Sequence, residues 1–110
     1  MWIYMSDSML SVVKPDGSGQ DRILLVRSRI RQDILRVFPD VDDLIENTPQ
    51  RDYPYRVRLS AQRVAEVVAN SIMEINYDNF KASVIDNHRH NIYNRVWSVT
   101  RALQYKEDHA

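Results

Sequence analysis

At 110 residues and zero formal net charge, the chain has length for one hydrophobic core and no bulk charge with which to coat nucleic acid. An apolar share of 44% beside 27% charged residues fits a globular protein and excludes a disordered or fibrous one. Cysteine is absent, which excludes disulfide frameworks and thiolate metal sites and agrees with a reducing, cytoplasmic setting.

From the N-terminus, Trp2-Ile3-Tyr4-Met5 and Met9-Leu10-Ser11-Val12-Val13 are short β-favouring runs around the turn triplet Ser6-Asp7-Ser8, which predicts a hairpin. The opening residues carry no basic region or cleavage site and do not read as a signal peptide. Both glycines fall in Pro15-Asp16-Gly17-Ser18-Gly19, the plainest loop signal. A strand follows from Arg22 to Ser28, and Ile23-Leu24-Leu25-Val26 is apolar on both faces, as in a central strand. Ser28 can cap a short helix in which Ile30, Ile34, Val37 and Phe38 share a face, with Pro39 ending it.

Leu44-Ile45-Glu46 predicts a short edge strand after the acidic stretch that begins at Asp40. Tyr53, Tyr55, Val57 and Leu59 alternate with Pro54, Arg56 and Arg58, the pattern of a half-exposed strand. Ser60 is a good N-cap for a helix carrying Val64, Val67, Val68, Ile72 and Ile75 at helical spacing. Asp78 offers a cap for a further short helix through Phe80 and Val84. A last helix runs from about Asn87 to Tyr105 with Ile92, Val96, Val99 and Leu103 as its expected buried stripe, and the tail 106–110 is expected to fray.

These elements predict one α+β domain over 1–110. An antiparallel sheet of about five short strands packs against two to four helices, and the C-terminal end is all helical. No apolar run approaches the roughly 18 residues that span a bilayer, so no membrane partner is expected.

Charge is unevenly placed. Residues 21–36 hold five Arg and two Asp, residues 40–46 hold Asp40, Asp42, Asp43 and Glu46 with no base, and residues 51–63 hold four Arg and one Asp. The acidic group could form a paired-carboxylate site, although a solvated acidic turn explains it more simply. Arg51, Arg56, Arg58 and Arg63, with Tyr53 and Tyr55 beside them, combine the basic and aromatic residues that single-stranded nucleic acid requires. On a regular strand the tyrosines and arginines would lie on opposite faces, and the arginines suit pairing with the 40–46 stretch or with a second copy equally well.

Asp86, His88 and His90 are the one run with metal-ligand chemistry, and they give a metal-dependent hydrolase as one alternative. Residues two apart on a helix point about 200° away from each other, so the histidines would share a metal only in extended or loop geometry. The simpler reading is a helix start capped by Asp86 or Asn87. No G-x-S-x-G elbow is present, and Gly17 and Gly19 lack the Gly-Lys-Ser/Thr ending of a phosphate loop, so no cofactor is expected. Tyr93, Trp97 and Arg101 recur every fourth residue on the last helix and are residue types enriched in interface hot spots. Together with Arg56 and Arg58 they form the expected partner-binding set. The expected function is a small non-enzymatic protein-binding module, with a homodimer as one form and nucleic-acid binding through the arginine strand face as the alternative.

Three runs carry a family resemblance: Met1-Trp2-Ile3-Tyr4 with Ser6-Asp7 and Leu10-Ser11-Val12-Val13; Asp21-Arg22-Ile23-Leu24-Leu25-Val26-Arg27 continuing to Ile34 and Arg36-Val37-Phe38-Pro39; and Asn76-Tyr77-Asp78-Asn79-Phe80-Lys81 with Ser83-Val84, Arg89-His90, Tyr93 and Val96-Trp97. On these residues the chain resembles an uncharacterised family of small bacterial and phage-associated proteins. The resemblance implies a compact stand-alone protein encoded by a mobile element; the family has no settled activity or catalytic residues to carry over to this chain. By analogy with phage proteins of this size, it implies an anti-CRISPR-like inhibitor of a host defence complex.

Overall fold

The computed structural model describes residues 1–16 and 22–108, with side chains described as far as Tyr105. Most of the loop signal at 15–19 and the end of the tail at 109–110 lie outside the described residues. The strands are β1 (Trp2–Tyr4), β2 (Met9–Val13), β3 (Ile23–Ser28), β4 (Glu46–Asn47) and β5 (Tyr55–Ser60). The helices are α1 (Arg31–Val37), α2 (Ala61–Met73), α3 (Phe80–Ser83) and α4 (Asn87–Asp108). The class is α+β with a helical C-terminal region, as the sequence predicts. The chain divides into two compact units, Met1–Asn76 and Tyr77–Ala110.

In the first unit all five strands form one antiparallel sheet in the order β1-β2-β3-β5-β4. The doubly apolar strand β3 is central, as its sequence requires. Alternation then sorts the sheet into two faces. Val12, Val26 and Val57 stand opposite one another across three strands. They share a core with Leu10 and Leu59 of the sheet, with Ile34 and Phe38 at α1, with Val41, and with Val64 of α2. Each such side chain contributes roughly 1.5–3 kcal/mol by leaving water. The opposite face carries a row that crosses every strand: Trp2, Ser11, Arg27, Arg56 and Glu46.

Local chemistry moves several boundaries away from their predicted places. Ser28 does not cap α1. Ile30 occupies the N-cap in an extended conformation without a side-chain cap, and the Ser28 hydroxyl donates to the Ile30 carbonyl at 2.6 Å. Ile30 is therefore exposed, while Ile34 and Phe38 reach the core. Asp33, 2% exposed, accepts from the Met9 amide at 3.0 Å and from Arg36 at 3.1 Å, tying α1 to the start of β2. Leu44 belongs to a 3-10 turn over Asp42–Leu44 rather than to the edge strand, which is only Glu46–Asn47.

Ser60 caps α2 as predicted, its Oγ accepting from the Arg63 amide at 3.1 Å. The helix stops at Met73, so Ile75 falls beyond it, and Ile72 and Ile75 are exposed. In the second unit Asn79, not Asp78, caps α3 by accepting from the Ala82 amide at 3.1 Å. No helix among the described residues is long and apolar enough to cross a membrane.

Candidate functional site

The arginine face of the sheet belongs to the first unit. Arg27 donates to the Ser11 hydroxyl at 2.6 Å, across the pair the strand register sets. Strand β5 begins at Tyr55, so Tyr53 escapes the strand alternation. Its buried ring lies against the guanidiniums of Arg27 and Arg29, 4.7 and 4.5 Å from the ring centroid. These ring contacts are made by arginines of β3 and of the segment after it, not by Arg56 or Arg58, with which Tyr53 alternates in sequence. Burial pushes the nearby Tyr4 hydroxyl up, the Tyr53 phenol adds to this, and Arg29 opposes it.

Arg56 donates to the Tyr53 carbonyl at 3.1 Å and lies 3.7 Å from the Asp52 carboxylate. Arg58 lies 3.6 Å from Glu46. Two more acids of the 40–46 stretch behave alike: Arg31 pairs with Asp42 at 2.5 Å, and Arg63 pairs with Asp40. Pairing within the fold therefore accounts for much of the alternation of basic and acidic segments. The buried Arg27 Nε has no hydrogen-bond partner among the described residues.

The second unit is built on aromatic contacts between α3 and α4. Phe80 stacks on Tyr93 with ring centroids 5.7 Å apart, and Tyr77 meets Phe80 at 5.9 Å. Arg89 donates to the Tyr93 hydroxyl at 3.0 Å. Tyr93 is consequently only 5% exposed and serves this small core. Val84 is buried as well. Trp97, one turn further along α4, is 48% exposed. The Lys81 ammonium lies 3.5 Å from its ring centroid and the Arg101 guanidinium 5.7 Å. Lys81 is the member of this cluster that the sequence conceals. It stands sixteen positions before Trp97 and reaches it only through the turn between α3 and α4.

The run with metal-ligand chemistry is occupied in local structure. The Asp86 carboxylate accepts from the Arg89 amide at 2.8 Å at the start of α4. His90 Nδ1 lies 2.9 Å from the Lys81 carbonyl oxygen, so this nitrogen carries the proton and donates. His88 is exposed on the same helix. Among the described residues no three His, Asp or Glu side chains converge as a metal-binding group.

The predicted buried stripe of α4 is corrected. Ile92 is 43% exposed, Val99 73% and Leu103 75%, and Val96 is half-buried. The physical reason lies in the rotation of the helix. At 3.6 residues per turn these four side chains fall within about 60° of one another, while Tyr93 and Trp97 lie roughly 90° and 130° from the centre of that stripe. The contacts with α3 are made on the Tyr93 side. Comparison with protein-family models, with curated proteins and with solved structures found no match.

Proposed function

We propose that the chain is a non-enzymatic protein-binding module and that α4 carries its contact surface. One observation supports this reading above the others. A long helix leaves Ile92, Val99 and Leu103 in water along one narrow line, with half-exposed Trp97 roughly 130° round the helix from it. Apolar residues scattered singly on a surface need no explanation, whereas a contiguous row of them marks an interaction site. The polar groups nearby serve caps and ring contacts, and Arg56 and Arg58 already face carboxylates. A host defence complex is the class of partner the family resemblance suggests.

The test uses the tagged chain and two variants, Val99→Asp and Trp97→Ala, each checked for an unchanged urea midpoint. A protein retained in fixed stoichiometry by the wild type and lost by both variants is the expected result. Equal retention by the wild type and the variants would remove α4 as the contact surface.

A further inference from the structure

Ile92, Val96, Val99 and Leu103 are spaced four, three and four residues apart, the seam of a helix that meets another helix by knobs-into-holes packing. The stripe is narrow. A surface helix of a globular protein turns a stripe of about 100° or more toward its core, whereas a strict coiled-coil seam is narrower; this one spans about 60°, and a membrane-surface helix needs a large apolar face. Its geometry therefore suits a partner helix better than a lipid surface.

Charge then selects which helix. Between Asp86 and Glu107 the chain has no acidic residue, while Arg89, Arg95, Arg101 and Lys106 lie in that interval. Arg95 directly precedes the seam residue Val96, in the position that flanks a coiled-coil core and sets partner choice through ion pairs. It is exposed, and among the described residues no carboxylate pairs with it. A second copy of α4 would bring no acid to Arg95 from anywhere between residues 87 and 106. A helix with carboxylates beside its own apolar seam would.

Resting on the protein-binding reading above, we infer that the occupant of the α4 seam is an acidic amphipathic helix of a partner protein. The partner supplies aliphatic side chains to Ile92, Val96, Val99 and Leu103, and a flanking Asp or Glu to Arg95. The aliphatic contacts hold the pair together, and the charges choose the partner and its register.

Fluorescence anisotropy of a labelled helical peptide tests this, with leucine at its seam positions and glutamate beside them, against a matched peptide with lysine in place of glutamate. The glutamate peptide is expected to bind at least about tenfold more tightly than the lysine peptide. Val99→Asp is expected to weaken it by about tenfold or more, and Arg95→Glu to reverse the preference between the two peptides. Equal affinity for both peptides, or no binding of either, overturns the acidic partner. If Val99-dependent capture persisted in that case, the protein-binding reading would stand without it. Two further results would also overturn the inference: a homodimer in sedimentation equilibrium that Val99→Asp abolishes, and Val99-dependent binding to phosphatidylserine vesicles.

Discussion

Asp40 and Arg63 form an exposed ion pair that reaches from the segment after α1 to the first turn of α2. The hydrogen bond from Arg63 is the main cause that holds the Asp40 carboxyl below the ordinary aspartate range, and partial desolvation opposes it. A depressed folded-state pKa fixes the sign of the linkage. The pair favours the folded state above the ordinary aspartate pKa, and this contribution is lost as pH falls through the lower folded value. Carboxyl NMR of the Arg63→Gln variant is expected to show the Asp40 midpoint moving upward, toward that of an unpaired aspartate. An unchanged midpoint would mean that Arg63 does not hold Asp40 in solution. Arg63 also lies 5.5 Å from the Phe38 ring, so the substitution loosens a second contact at the same position.

At the scale of elements, α1 and α2 start differently. Ile30 gives α1 no side-chain cap, whereas Ser60 gives α2 one through the Arg63 amide. Ser60→Ala is expected to cost about 1 kcal/mol in urea denaturation, because one amide at the helix start loses its acceptor. A change within experimental error would show that water replaces the hydroxyl there. This cap was legible in the sequence because serine stands where the strand alternation ends and helical spacing begins. So was β3 as the central strand, since apolar residues on successive positions require cover on both faces. The α1 start was not legible, because Ser28 is drawn to the Ile30 carbonyl instead of an amide. The α4 stripe was readable as a helical face but not as an exposed one. Periodicity reveals which residues share a side, and only tertiary contacts decide whether that side is covered. Tyr93 and Trp97 were singled out by residue type, yet the stack on Phe80 buries one and leaves the other half in solvent.

For the whole molecule, the distribution of buried side chains sets how the chain folds. The sheet core from Leu10 to Val64 and the half-buried residues packed against it, from Ile3 to Val68, all lie in the first unit. The second unit has Val84 and Tyr93 as its buried apolar side chains among the described residues. Its length, residues 77–110, falls below the roughly 40 residues at which a chain without disulfides or metals folds alone. A polypeptide of residues 1–76 is therefore expected to show sheet-containing circular dichroism and a cooperative urea transition. A polypeptide of residues 77–110 is expected to be only partly helical and to lose that signal gradually, since α4 keeps helical propensity but little to pack on. If the shorter polypeptide unfolds cooperatively instead, the ring contacts of Phe80 with Tyr77 and Tyr93 and of Lys81 with Trp97 are a sufficient core. If 1–76 fails to fold, its sheet core depends on the C-terminal helices. Either result bears on the exposed seam of α4, because a helix that is marginal alone gains stability from a partner laid along that seam.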